Sequence, residues 1–250
     1  MSATKPFLLL ASRDDDEAAD DEFAGFLATG GLRPHQLVRL RLEAAPMPPI
    51  DLDDYSGIIV GGSPYNASDP DDVKSAAQVR VERELGVLID RVIERDFPFF
   101  GACYGIGLLA GHLGGVVDGT HAETAGPTRV SVTAEGRVDQ LFGRLAPQFD
   151  AFVGHKESCA VLPPGATLLA TGPACPVQAF RIGANVYATQ FHPELSRESI
   201  LTRLRIYRDH GYAPPGGYDE TVAGINASDV TEPPALVRAF VERFSEPIGG

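Results

Sequence analysis

Two short apolar runs each stop abruptly at glycine, and they constrain the fold more than any other feature of the chain. Gly57-Ile58-Ile59-Val60 enters Gly61-Gly62-Ser63-Pro64, and Phe97-Pro98-Phe99-Phe100 enters Gly101-Ala102-Cys103-Tyr104-Gly105. A run without polar alternation leaves no face for solvent, so it suits a strand covered on both sides, as in a parallel sheet between helical layers. Lys5 to Ala11 is a third such run, and Arg13 and a string of acids follow it. Parallel strands need helical crossovers, and the intervening segments supply them.

Asp14 to Thr29 carries acids in its first turns, where the helix dipole favours them, and Gly30-Gly31 stops it. His35 to Leu42 alternates as a second strand, and Pro46, Pro48 and Pro49 mark the loop beyond. Asp69-Pro70-Asp71-Asp72 offers an N-cap and a first-turn proline ahead of Val81, Leu85, Leu88 and Val92 at helical spacing. Ile106 to Leu113 continues the second glycine turn as a helix. The later half changes style. Arg129 to Ala134, Phe149 to Val153, Thr167 to Ala170, Val177 to Ile182 and Val186 to Phe191 are short β-like runs separated by Gly or Pro. Ser196 to His210 reads as a helix, and Pro234 to Phe244 as a last one beyond Pro214-Pro215-Gly216-Gly217. The expected fold is α/β, an open and mostly parallel sheet with helices on both faces and a small antiparallel extension. Residues 1–210 are expected to form the main domain, with 211–250 a Pro-containing extension packed on it.

Composition excludes several partners. The 250 residues carry a net charge of −13 without a basic stripe, which argues against nucleic acid and anionic membrane surfaces. The apolar stretch at the start is too short for a signal peptide or a membrane span, so a cytoplasmic location is expected. Three well-separated cysteines, 103, 159 and 175, suggest neither a disulfide framework nor a zinc site. Cys159 and Cys175 read as packing residues, and no metal or cofactor is expected.

The chemistry concentrates at three places. Gly101-Ala102-Cys103-Tyr104-Gly105 has the form of a nucleophile elbow, in which flanking glycines allow a sharp strand-to-helix turn that leaves the thiol exposed near a helix N-terminus. A thiol nucleophile needs a base, and the base needs an orienting acceptor. Val186 to Glu194 supplies both: Pro193 favours an extended His192, which puts Glu194 on the same side as the imidazole. Gly61-Gly62-Ser63-Pro64 ends a buried strand, where its amides, with that of Tyr104, could hold an oxyanion.

In that order, the GGSP turn, the G-x-C-x-G elbow and the Q-F-H-P-E strand resemble the class I, or triad, glutamine amidotransferases over roughly residues 5 to 200. The resemblance extends to amidotransferase domains of the GMP synthase kind and to γ-glutamyl peptidases with a G-S-P-Y turn. It implies a flavodoxin-like sheet on which Cys103 attacks a glutamine side-chain amide, forms a γ-glutamyl thioester and releases ammonia. His192 would be base and then acid, Glu194 its orienting partner, and Tyr104 with Gly62 or Ser63 the oxyanion donors. A synthase subunit would be the partner.

One position departs from the family pattern. Where members commonly read C-x-G-x-Q, this chain has Gly107, so the usual glutamine clamp is missing and another γ-glutamyl or related amide becomes an alternative substrate. His155-Lys156-Glu157 stands where GMP synthase-like members carry a His-Gly-Asp turn, which makes His155 and Lys156 candidate substrate contacts with Gly107. A binding module that kept the fold without turnover is the third reading.

Overall fold

The computed structural model describes residues 4–245, so the outermost residues of both expected domains lie outside it. Strands β1 (Phe7–Ala11), β2 (Leu37–Arg41), β3 (Gly57–Val60) and β4 (Phe99–Ala102) are interspersed with helices α1 (Asp16–Gly30), α2 (Ala76–Arg95) and α3 (Tyr104–His112). Then come β5 (Val116–Asp118), β6 (Glu123–Val132), the short α4 (Ala134–Val138), β7 (Gln148–His155), β8 (Ser158–Val161), β9 (Thr167–Thr171), β10 (Ala179–Ile182) and β11 (Val186–Thr189). Helices α5 (Arg197–Ile206), α6 (Tyr218–Ala227) and α7 (Pro234–Phe244) close the chain.

Nine strands form one sheet in the order β2-β1-β3-β4-β11-β10-β9-β6-β7, and β5 pairs with β8 apart from it. From β2 to β11 the neighbours are parallel, and from β11 to β7 they are antiparallel. This is the expected flavodoxin-like α/β architecture. Its antiparallel extension runs to four strands, because β9 and β10 carry the sheet on to the long β6–β7 ladder.

Alternation inside the apolar runs sorts the core into two layers. Phe7, Leu9, Ile59 and Phe100 face α1 and α7, which contribute Phe26, Leu236, Val237 and Phe240. Leu8, Leu10, Ile58 and Val60 face the other way, toward Val81, Leu85, Leu88 and Val92 of α2 and toward α3. Helix α7 is thus part of the main core. The Phe240 ring lies 5.8 Å from that of Phe7 and 5.5 Å from that of Phe100.

Several boundaries differ from the sequence reading. Helix α2 begins at Ala76, not near Asp69, because the Ser75 hydroxyl accepts Gln78 N–H at 3.1 Å while the chain before it is tied elsewhere. Helix α5 ends at Ile206, and a single 3-10 turn carries the chain on to His210. The β5–β8 pair and α6 have no counterpart in the sequence reading. Val116 and Val161, which pair across β5 and β8, are both exposed, and α6 buries only Ile225, so neither element carries a strong apolar pattern.

Candidate active site

Four neighbouring parallel strands, β1, β3, β4 and β11, end at the same edge, and each delivers a polar group there. Arg13 follows β1, Gly61 to Ser63 follow β3, Cys103 follows β4 and His192 follows β11. The C-terminal edge of such a sheet is where strand ends and helix starts leave room for a ligand.

The elbow has the geometry its glycines imply. Cys103 adopts φ 52° and ψ −95°, a strained backbone for a side chain with a β-carbon, and caps the N-terminus of α3. Its own N–H donates to Thr189 O at 2.8 Å, which locks the turn to the end of β11. A Cβ on Gly101 would lie 2.8 Å from the Gly105 carbonyl carbon, and one on Gly105 would lie 3.1 Å from Val60 O. Only glycine lets α3 start this close to β3 and β4.

His192 is buried with Cys103 on the wall of one cavity, and its Nδ1 lies 2.8 Å from Glu194 Oε1. Burial opposes its protonation, yet the Glu194 charge, and then the charge and hydrogen bonding of Cys103, raise its pKa to about 9. The same pairing, helped by Arg203, holds Glu194 far below the usual carboxylate range despite its burial. Arg203, from α5, donates through Nη1 to Glu194 Oε1 at 2.9 Å. With Nδ1–H given to the carboxylate, Nε2 is left for the thiol.

The glycine turn after β3 makes room for this machinery. A Cβ on Gly62 would lie 2.6 Å from His192 Cε1 and from Arg13 Nη2, and one on Gly61 would lie 2.5 Å from Glu22 Oε2. Glu22 is fully buried; its Oε1 accepts from Arg13 Nε at 3.0 Å and from Gly62 N–H at 3.1 Å. The Gly62 amide is therefore already committed. Of the two donors expected after β3, that leaves Ser63 N–H, in a turn tightened by Tyr65 N–H donating to Ser63 Oγ at 3.1 Å. Tyr104 N–H opens α3, where a first-turn amide has no carbonyl of its own helix to meet.

The expected substrate contacts divide. Lys156 and Glu157 line a second cavity that also borders Cys103 and Tyr104, with Gln190 Oε1 buried there without a partner. Gly107 does not line that cavity. A Cβ at 107 would come 2.9 Å from Glu157 Oε1, so the Glu157 carboxylate lies across the place where a 107 side chain would start. That carboxylate accepts Ala67 and Ser68 N–H, each at 2.7 Å, and so ties down the segment ahead of α2. His155 lies on the cavity wall but its ring is engaged: Nδ1 is 2.9 Å from Glu157 O and Nε2 is 3.0 Å from Glu123 Oε2. Gln178 Nε2 also donates to Glu123 Oε2, at 2.7 Å. Cys175 joins this group, with ligand-type atoms of Glu123, His155 and Cys175 within 4.8 Å of one another. Burial pushes the Cys175 thiol up to about 11 and the Cys159 thiol up to about 12. His155, Glu123 and Gln178 thus form a hydrogen-bonded group that holds the 155–157 turn, while the Cys175 thiol donates to Val177 O at 3.4 Å.

Sequence reasoning passed over Arg13, Glu22, Arg203, Tyr207 and Tyr212, all at or behind the site. Two signals existed. Arg13 directly follows a buried strand, and Arg203 interrupts the apolar spacing of Ile200 and Leu204 on α5.

The sequence family described as glutamine amidotransferase class-I matches residues 35–203, more than half of the chain. The chain belongs to this family. Among curated relatives, a GMP synthase (glutamine-hydrolyzing) of Streptomyces avermitilis is 31% identical over 164 residues, 64% of this chain and 28% of that protein. The corresponding enzyme of Streptomyces coelicolor is 28% identical over 194 residues, 74% of this chain and 34% of that protein. The class-I chain thus spans about a third of the length of these relatives. A glutamine amidotransferase structure from Methylobacillus flagellatus superposes with a TM-score of 0.72 at 20% identity, covering 99% of this chain and 98% of its own. Another from Thermotoga maritima has a TM-score of 0.72 at 18% identity, covering 96% and 98%. These two likenesses establish the fold. Among the described residues, no helix is long and apolar enough to cross a membrane.

Proposed function

We propose that this class-I chain hydrolyses a carboxamide through a thioester on Cys103, with His192 as base and acid and Glu194 as its orienting partner. The observation that carries the reading is the strained Cys103 elbow beside a His192 whose other nitrogen is held by a buried Glu194. His192 takes the Cys103 thiol proton as the sulfur adds to the amide carbonyl, and Ser63 and Tyr104 N–H hold the resulting oxyanion. The His192 imidazolium gives its Nε2 proton to the leaving nitrogen, and the C–N bond breaks to leave an acyl thioester. His192 then takes a proton from water, which attacks the thioester, and returns that proton to the departing sulfur, so that the thiol is restored and the acid leaves as its carboxylate. Glutamine is the reference substrate, since the curated relatives are glutamine-hydrolyzing synthases, and its ammonia would pass to a synthase subunit as acceptor.

Ammonia release from glutamine and related amides tests this directly. Cys103→Ala should lower turnover by roughly 10³-fold or more while the thermal transition persists. Equal turnover by that variant would take the thiol out of the mechanism.

A further inference from the structure

Arg203 lies beside Glu194 on α5, buried, and its guanidinium meets acids on two sides. Toward the site, Nη1 donates to Glu194 Oε1 at 2.9 Å and stands 3.3 Å from His192 Nδ1. Away from it, Nε lies 3.6 Å from Asp21 Oδ2 and Nη2 lies 4.0 Å from Glu22 Oε1, both on α1. Glu22 Oε1 is the same atom that accepts Gly62 N–H. Helix α1 comes this close because residue 25 is glycine: a Cβ there would lie 2.8 Å from Glu194 O. One planar group thus spans the triad acid and the carboxylate that anchors the turn after β3.

His192 Nδ1 has one in-plane direction for a hydrogen bond, and Glu194 Oε1, 2.8 Å away, occupies it. Arg203 Nη1 shares that oxygen, so the carboxylate cannot turn from the ring without losing both bonds. Arg203 also brings a positive charge to a ring that the reaction proposed above must protonate and deprotonate in turn. A cation there opposes the imidazolium, whereas Glu194 favours it. The other charged and titratable groups around the ring are Cys103 after β4, Arg13 after β1, Asp21 and Glu22 on α1, and the hydroxyls of Tyr207 and Tyr212. Arg13 is taken up by Glu22 and by the Tyr207 hydroxyl. Arg13 and Arg203 stand against Asp21, Glu22 and Glu194, which leaves one net negative charge behind the ring. Without Arg203 there are two.

We infer that Arg203 is a positioning residue of the triad, which pins Glu194 on the imidazole and, through its charge, keeps the imidazolium able to give up its proton. The inference rests on the thioester reading, in which His192 hands its Nε2 proton to the leaving nitrogen, and it adds a fourth side chain to Cys103, His192 and Glu194. No bond to Arg203 is made or broken in the reaction. It acts through Glu194 and through its field.

Histidine titration by NMR, with the His192 signal assigned by its loss in His192→Gln, reads the charge effect without any substrate. In Arg203→Met, or in Arg203→Gln should the first variant fail to fold, the His192 titration should move up by about one pH unit or more. Arg203→Lys keeps the charge, so its titration should stay within about half a pH unit of the unmodified protein. A single ammonium cannot grip Glu194 and the α1 acids together as the planar fork does, so kcat for glutamine should fall roughly tenfold in Arg203→Lys with KM unchanged. A His192 titration that stays in place in the neutral variants, or that moves as far in Arg203→Lys as in them, overturns the charge role. Full kcat in Arg203→Lys overturns the positioning role. The expected titrations, with no turnover of glutamine or a related amide by the unmodified protein, would remove the thioester reading and leave the charge role standing.

Discussion

Gly62 has no side chain because two other side chains stand where its β-carbon would go. With His192 Cε1 and Arg13 Nη2 each 2.6 Å from that point, Gly62→Ala must push the imidazole or the guanidinium aside. A displacement of about 1 Å at a reacting group costs on the order of 10²-fold, so kcat for any amide turned over should fall by about that much in a protein that still folds. Steady-state kinetics with a melting curve checks it, and an unchanged kcat would show that the ring has slack. His192 and Glu194 carry a second expectation at this scale. Burial works against the imidazolium, but the Glu194 and Cys103 charges outweigh it and raise the pKa to about 9 from an ordinary value of 6.5. A raised folded-state pKa stabilises the protein fully below the unfolded value, and this contribution fades as pH rises from 6.5 through about 9. Thermal melting between about pH 6 and 10 should show that decline in the unmodified protein and a flatter one in Glu194→Gln. Parallel profiles for the two would mean that the pair does not set the slope.

At the scale of elements, α7 joins the sheet more closely than its place near the end of the chain suggests. Phe240 sits at the centre of an aromatic cluster with Phe7 of β1, Phe100 of β4 and Phe244 of its own helix. Phe240→Ala should cost about 3–5 kcal/mol, measured by denaturant unfolding, because the space left between a sheet and a helix cannot close. A loss below about 1 kcal/mol would show α7 to be loosely docked. Elements were legible in the sequence in proportion to how much of their own surface they bury. β1, β3 and α7 lie close to where their apolar runs place them. The start of α2 does not. The Asp69-Pro70 signal is a sound local one, but Glu157 holds Ala67 and Ser68 by their amides from the turn between β7 and β8, about 90 residues away, and the helix waits for Ser75.

For the whole molecule, the core and the cavity wall both cross the boundary that the sequence suggested near residue 210. Helix α5 supplies Arg203 to Glu194, the segment after it brings Tyr212 to the cavity wall, and α7 covers the aromatic layer. A chain ending at Gly211 would bare Phe7, Phe26 and Phe100 to water, and we expect it to lose its cooperative thermal transition and to aggregate. Circular dichroism and gel filtration check this; a monodisperse chain with the original transition would make the extension dispensable. The net charge of −13 belongs to this scale too. It describes the surface as a whole; in the site region Arg13 is paired with Glu22 and Arg203 with Glu194, so local ion pairs rather than the net charge set the field there.

The sequence by itself determined the alternation of strands and helices, the glycine elbow at Cys103 and the His192–Glu194 pair, because each depends on residues within a few positions of one another. Tertiary structure decided the rest. Glu22 takes the Gly62 amide across 40 residues, Arg203 neutralises Glu194 from the next helix, and Glu157 crosses to the place left by Gly107. These are contacts of charged side chains buried by folding. A local pattern cannot announce them, since a carboxylate on a helix reads as solvated until a neighbouring element covers it.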